Sequence, residues 1–462
     1  MDTTRKFERS LGLGYVIVVV VGNIIGSGVY KKIAPMAAEL HSAGWVLIAW
    51  IVGGLITLFG ALSNAEVAGM LADTGGDFAY YKKVYNRFFA FIYGWSLFAV
   101  IQTAAISSLA YVFAQSFNTL LNLPILFPAL STFSIGGVFF PFEGFTVKLT
   151  AIILILVLTL VNIKGIKAGA SVSKLILWLV FGGLFLIVAF GFTSSQSHPI
   201  QSFNFGTNSD APVTISTFFT AMLASFWAYQ GWASVGFIGG EVKDAKQNIP
   251  KGIVAGVFIV IAAYLLVNVT YLSLLSIPQL EQIYQSGDQI AAIEAVRMFW
   301  GQNGALFISF LILITTLGCT NATILASARP YYAMAQEKLF FSGAGKLNKA
   351  NAPSHSLIAQ GIWASVLVLS GTFDQLTDMI IFAVFIFYGA TSLAVFVLRK
   401  KMPDAPRPYK VWGYPIVPAI FILFCIVLVF NTVFTRPREA IMGLTLIFSG
   451  LPVYWWLNRK NK

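Results

Sequence analysis

Gly22, Gly26 and Gly28, with Ser27 between the last two, interrupt an apolar run that begins at Leu11. The stretch reads Val20-Val21-Gly22-Asn23-Ile24-Ile25-Gly26-Ser27-Gly28-Val29-Tyr30. Each glycine costs roughly 1 kcal/mol against alanine inside a helix, so the cluster weakens a helix in mid-run. A break there frees amides and a positive dipole end at the start of the second half, which suit a carboxylate. It also frees carbonyls at the end of the first half, which suit a cation or an ammonium group. Together the two ends can hold a zwitterion without one charged side chain. The same small residues also let helices pack closely, and this stretch alone leaves both readings open.

A second interruption tips the balance. Phe226-Trp227-Ala228-Tyr229-Gln230-Gly231-Trp232 places Gln230 and Gly231 inside another apolar run, among four aromatics. What must position the two breaks is a set of long apolar helices. Only 10% of the 462 residues are charged, 57% are hydrophobic and the mean hydropathy is +0.79. Soluble domains carry about 25% charged residues, so the chain is expected to be a polytopic membrane protein. Spans of about twenty apolar residues cross a bilayer, and about twelve are expected. They fall at 11–36, 44–70, 89–120, 147–163, 173–193, 214–240, 252–276, 303–328, 355–371, 375–398, 414–434 and 439–457.

The charges follow this count. With the N-terminus inside, only Lys31, Lys32, Lys148, Arg297, Arg436 and Arg438 of the 30 Lys and Arg fall outside. That bias predicts cytoplasmic N- and C-termini and explains the net charge of +12 as topology, so no nucleic-acid partner is expected. Span one then enters from inside and span six from outside. Breaks at corresponding places in two five-span halves of opposite topology (about 11–193 and 214–398, with additional helices in 414–457) predict a carrier with a midplane site between discontinuous helices. The whole chain, 1–462, is read as one transmembrane domain. Cys319 and Cys425 lie in apolar spans, so neither a disulfide framework nor a metal site is expected. His41, His198 and His355 read as interfacial, and no cleavable signal peptide is evident. Residues 290–297 read as a short amphipathic helix at the outer surface, and Trp412, Trp455 and Trp456 as interfacial aromatics.

Several stretches, in order, carry a resemblance. Gly22-Asn23-Ile24-Ile25-Gly26-Ser27-Gly28-Val29 resembles the first-helix motif of the amino acid–polyamine–organocation superfamily. Three further stretches resemble that superfamily: Ala65-Glu66 with Thr74-Gly75-Gly76 after span two, Ala228-Tyr229-Gln230-Gly231-Trp232 in span six, and Glu241-Val242-Lys243 with Asn248-Ile249-Pro250 after it. Gly318-Cys319-Thr320-Asn321 with Ser327-Ala328-Arg329, and Arg407-Pro408-Tyr409-Lys410, are similar to the L-amino-acid transporter branch. The resemblance implies an all-α fold with a LeuT-like five-plus-five inverted repeat, helices 1 and 6 discontinuous, and two further C-terminal helices.

It also implies roles, residue by residue. The substrate carboxylate would meet the amides around Gly26, Ser27 and Gly28. The ammonium would meet the carbonyls of Ile24, Trp227 and Gln230, within a sixth-helix segment that includes Ala228, Tyr229 and Gly231. Trp227 matches a gating aromatic. Gln102, Thr103 and Ser107 in span three and Asn321 in span eight are candidates for the side-chain pocket. Glu66 and Glu241, at cytoplasmic span ends, suit an ionic gate or a helix cap. Many members of the branch carry a lysine in span five, where this chain has Val180. The coupling ion, H+ or Na+, and the choice between exchange and symport therefore stay open, with Thr315, Thr316 and Ser327 as possible sodium ligands. Some relatives pair through a disulfide with a single-span glycoprotein; neither cysteine lies in an outer loop, so no covalent partner is expected.

The expected function is secondary active transport of L-amino acids, small to medium and neutral, across the plasma membrane by alternating access. No cofactor is expected. No ionisable residue lies clearly near the breaks to partner a cationic side chain. A carrier of polyamines or other organic cations on the same fold is the first alternative, and a membrane-embedded sensor the second. An enzyme would cluster His, Asp, Glu or Cys, and a channel would need polar rings; neither pattern is present.

Overall fold

The computed structural model describes residues 11–71, 76–135, 139–164, 169–206, 212–287, 289–350 and 352–460, with side chains left aside at 169–175 and 460. The basic residues Arg5, Lys6, Arg9, Lys167 and Lys462, the side chain of Lys174, and Thr74-Gly75 of the loop motif lie outside that description. The described chain is helical, apart from two isolated β-bridges. In order come α1 (Leu13–Ile24), α2 (Gly28–Lys31), α3 (Ile33–Leu40), α4 (Ala43–Leu71), α5 (Asp77–Val84) and α6 (Arg87–Ser96). A π-turn at Leu97–Ile101 leads into α7 (Gln102–Leu121), followed by α8 (Phe145–Ile163), α9 (Gly169–Thr193) and α10 (Ile215–Tyr229). After 3-10 turns at Trp232–Phe237 and Gly239–Glu241 come α11 (Ala245–Leu274), α12 (Ile277–Ser286), α13 (Ala291–Gln336) and α14 (Ser354–Ser370). The last are α15 (Phe373–Lys401), α16 (Ile416–Thr435), α17 (Pro437–Phe448) and α18 (Gly450–Lys460).

Ten described helices are long and apolar enough to cross a membrane, and Ser354–Ser370 is a shorter apolar helix. The remaining expected span, the sixth, is divided: α10 supplies its first half and 3-10 turns supply its second. The region 277–302 differs from expectation. It holds two helices, α12 and the start of α13, the latter kinked at Gly301 (φ 59°). Ile290 to Ile293, Ala295 and Val296 are buried inside the protein rather than laid on its surface.

The broken helices are gripped by their neighbours through small residues. Gly252 and Gly256 of α11 lie against Val16 and Val20 of α1, and Gly53 of α4 lies against Ser225 of α10, with no room for a β-carbon. Trp50, Tyr229 and Tyr264 form a fully buried aromatic cluster beside the second break, with ring centroids 5.2–5.8 Å apart.

Two of the motifs have structural roles. Glu66 is buried at the end of α4, where Arg399 of α15 donates to it at 2.9 and 2.7 Å and the Val411 amide at 2.7 Å. Arg407 of the Arg-Pro-Tyr-Lys motif stands 3.6 Å away. Gly76, at φ 54°, abuts Gly236 and Phe237 of the sixth span, where a β-carbon would collide. Its neighbour Asp77 is buried and receives hydrogen bonds from Asn64 (3.1 Å) and Tyr93 (3.4 Å).

Two outcomes follow. Glu66→Ala removes a buried carboxylate from Arg399 and Arg407, and because Arg399 keeps one-quarter exposure the cost falls below the about 3–5 kcal/mol of breaking a fully buried pair. Thermal unfolding in detergent is expected to show a large loss for Glu66→Ala; a change within error would count against this anchor. Asp77 lies outside the spanning helices, and burial pushes its carboxyl from 3.8 up to about 7 against the opposing hydrogen bonds. The fold therefore keeps a proton that the unfolded chain has released, so this group's contribution to stability falls as pH rises from about 4 to about 7 and then levels. The melting temperature of Asp77→Asn relative to the parent is expected to rise across that window; a constant difference would refute the assignment.

Candidate functional site

α1 stops where the glycines begin. Ile25 is extended (φ −74°, ψ 93°), its amide donates back to the Val21 carbonyl at 2.8 Å, and α2 starts at Gly28. α10 stops likewise at Tyr229; Gln230 is extended (φ −67°, ψ 145°) and Gly231 has φ 124°. The two breaks lie directly against each other. A β-carbon on Gly28 would overlap Ala228, and one on Gly231 would overlap the Asn23 carbonyl. The Tyr264 hydroxyl stands 3.0 Å from the carbonyls of both Ile24 and Ala228 and donates to one at a time. Each carbonyl keeps a lone pair for another donor.

Between the breaks is a cavity of about 60 Å³. Of the residues expected from sequence, Ile24, Gly26, Ser27, Gly28, Gln102, Trp227, Gln230 and Gly231 line it. The others do not. Ala228 covers Gly28, and Tyr229 turns into the aromatic cluster, donating to the Trp50 carbonyl at 3.3 Å. Thr103 donates to the Phe98 carbonyl (2.7 Å), and Ser107 to the carbonyls of Thr103 (2.8 Å) and Ala364 (2.7 Å), so both serve helix packing. Asn321 accepts from Asn162 at 2.7 Å and faces an adjoining cavity.

Asn23, Ser234 and Thr323 line the small cavity although sequence reasoning did not select them as site residues. Ala105 and Leu109 line it as well, three and seven residues after Gln102, which is the spacing of one helix face. Choosing Gln102 first would have brought them in. Among the described residues no ionisable side chain lines this cavity, and no group of three or more His, Cys, Asp or Glu could hold a metal. Its electrostatics come from helix ends and neutral dipoles.

One face of the site is sealed. Trp227 is buried over it, and its indole N–H donates to the Ser27 hydroxyl at 3.2 Å. Phe373 packs edge-on against Trp227 with centroids 6.1 Å apart. The ammonium groups of Lys31 and Lys32 lie 5.1 and 4.7 Å from the Phe373 ring centre. Lys32 also bonds Asp374 and Thr377, each at 2.6 Å, which ties α2 to α15. Farther out, Arg436 pairs with Glu39 and lies 3.5 Å from Asp378.

The opposite face leads into a second cavity of about 220 Å³ that shares Asn23, Ser234 and Ala326 with the first. Val180 and Cys319 line it, and the Cys319 thiol lies 3.4 and 3.3 Å from the carbonyls of Gly22 and Ile25. The possible sodium-ligand hydroxyls are engaged by their own helix: Thr315 with Leu311, Thr316 with Ile312 and Ser327 with Thr323. Glu241 and Arg329, 2.9 Å apart, line this cavity too. The small cavity thus adjoins the second cavity on the Glu241–Arg329 side and is covered by Trp227 on the other.

Comparison with known proteins gives a consistent result. The profile of a family described as amino acid permease matches residues 11–457. The serine/threonine exchanger SteT of Bacillus subtilis is 28% identical over 98% of this chain and 98% of its own length. The b(0,+)-type amino acid transporter 1 of Mus musculus is 25% identical over 98% of this chain and 88% of its own. The large neutral amino acids transporter small subunit 2 of Homo sapiens is 27% identical over 97% and 80%.

The glycines are expected to rank by what a β-carbon would meet. At Gly26 the nearest atom is a flexible Leu109 methyl at 3.3 Å, whereas at Gly28 and Gly231 it is backbone or a backbone-bound atom of the facing break. Amino-acid uptake into vesicles should therefore fall much further for Gly28→Ala and Gly231→Ala than for Gly26→Ala, at matched expression. An inverted ranking would show that the two breaks are not in contact in the working protein.

Proposed function

Because the chain belongs to the amino acid permease family, we propose that it exchanges small to medium neutral L-amino acids across the cell membrane by alternating access. The observation that supports this most strongly is the cavity between the two helix breaks, lined by residues of both breaks and by no ionisable side chain among the described residues. In this reading the substrate carboxylate takes the amides of Gly26, Ser27 and Gly28, where the dipole of the second half of helix 1 adds positive potential. The ammonium takes the lone pairs left on carbonyls of Ile24, Trp227 and Gln230. A neutral side chain adds no charge that the wall would have to balance, whereas a polyamine would bring several.

Transport follows from which face is closed. Trp227, Phe373 and the Lys32–Asp374 pair seal the site from one side, so a bound substrate leaves through the cavity bounded by Glu241 and Arg329. Return of the bundle opens the Trp227 side and closes the other. With both termini placed in the cytoplasm, the conformation described is the inward-facing one. Exchange requires that the empty carrier reorient slowly and the loaded one fast, because substrate bridges the two breaks and lowers the barrier between the conformations. One of the relatives above is named an exchanger, which favours exchange over ion symport.

Proteoliposomes test this. Uptake of a labelled neutral amino acid is expected only when the same amino acid is trapped inside, with little response to imposed proton or sodium gradients. Uptake into empty vesicles driven by either gradient would replace exchange with symport. Trp227→Ala should lower turnover by at least about tenfold while changing substrate affinity less, since it removes the cover rather than the ligands; normal turnover would remove its gate role.

A further inference from the structure

The side-chain end of the site is shaped by an irregularity in span three, between α6 and α7, that nothing in the sequence announced. Leu97–Ile101 form a π-turn, and the Gln102 amide donates to the Leu97 carbonyl five residues back. The Thr103 hydroxyl takes the next carbonyl, Phe98, at 2.7 Å. One extra residue in a helical turn rotates everything after it by about 100° relative to what came before. That rotation brings Gln102, Ala105 and Leu109 onto the cavity.

Gln102 is only 8% exposed, yet among the described residues its side-chain amide has no hydrogen-bond partner. The residue lines the cavity between the two breaks. Thr323 and Ser234 stand on the same lining. The Thr323 proton is committed to the Cys319 carbonyl at 2.8 Å, so this hydroxyl presents lone pairs to the cavity. The wall therefore offers one amide that both donates and accepts, and a hydroxyl that accepts.

Resting on the reading of this cavity as the amino-acid site, we infer that Gln102 selects substrates whose short side chain ends in a hydroxyl or a carboxamide. Such a group can donate and accept at once and so satisfies both ends of the Gln102 amide. An aliphatic side chain of the same shape leaves that amide buried and unpaired, which is the circumstance that makes a hydrogen-bonding site discriminate. Gln102 acts in this by touching the substrate, and the π-turn acts by aiming it.

Threonine and valine make the cleanest pair, because they differ by a hydroxyl in place of a methyl. Ligand-dependent thermal stabilisation of the purified full-length protein is measured with L-threonine, L-valine, L-serine and L-alanine. Apparent affinity is expected to be about tenfold higher for threonine than for valine, and likewise for serine over alanine. In Gln102→Leu the threonine-to-valine ratio should fall close to one; Gln102→Met serves if the leucine variant lacks a cooperative melt. Valine binding as tightly as threonine, or a ratio that survives both substitutions, overturns the inference. Gly26→Val separates the two levels of the argument. If it abolishes stabilisation by every ligand while the ratio ignores Gln102, the site stands and the selectivity assignment falls. If Gly26→Val leaves binding intact, the site itself is wrong and the inference falls with it.

Discussion

The structure depends on one contact, that between the two interrupted helices. Gly28 rests on Ala228, and Gly231 rests on the carbonyl of Asn23, at distances that exclude any β-carbon. An unwound backbone in a membrane protein leaves polar groups that lipid cannot satisfy, each costing several kcal/mol if unpaired. Here each break is the other's surroundings, and Tyr264 from α11 supplies one hydroxyl to carbonyls on both sides. The neighbouring helices follow from this requirement. Gly252 and Gly256 bring α11 close to α1, Gly53 brings α4 close to α10, and the Trp50–Tyr229–Tyr264 cluster fills the space behind. What remains unfilled between the breaks is the cavity.

Polar side chains in the surrounding bundle fall into two groups by what they bond. Most serine and threonine hydroxyls turn back to a carbonyl of their own helix, as Ser309, Thr316 and Thr320 do to residues four positions earlier. Such groups are satisfied locally and carry no information about a ligand. A smaller set links helices: Ser107 to Ala364, Asn162 to Asn321, Gln360 to Ile324. From sequence the two sets look alike, which is why Thr103, Ser107 and Asn321 stood beside Gln102 as candidates. Whether a polar residue in a span packs or binds depends on the helix face it occupies, and the π-turn before Gln102 resets that face by an amount the hydropathy pattern does not encode.

The two breaks were legible because glycine and glutamine inside long apolar runs contradict the rest of the run. The number and order of spans were legible because hydrocarbon thickness fixes their length. The second half of the sixth span was not, since Trp232–Phe237 has an ordinary helical composition and is held in 3-10 form by the break before it and by Gly76 against Gly236. Residues 277–302 were misread for a related reason. An amphipathic pattern reports one apolar face without saying whether lipid or protein covers it, and here protein does. Tyr264, buried and polar-tipped, carries no motif at all; only its position opposite both breaks gives it a role.

The closures on the two sides of the site are of unequal build, and the inequality bears on how the protein moves. The closed side stacks an indole, a phenyl ring and an ion pair in sequence, Trp227 on Phe373 and Phe373 under Lys31 and Lys32. These contacts join α2 and α10, the movable halves, to α15. The other side has Glu241 and Arg329 at 2.9 Å, each about one-fifth exposed. A pair with that access to water is worth at most about 1 kcal/mol, too little to lock a conformation. The closed side carries an ionic contact of another build: Lys32, fully buried, meets Asp374 at 2.6 Å, a pair as enclosed as Glu66–Arg399. Opening that side breaks this pair, so substrate binding has to favour the other conformation by a comparable amount. Glu66 and Arg399, where α4 meets α15, line neither cavity, and their pair stays out of that balance.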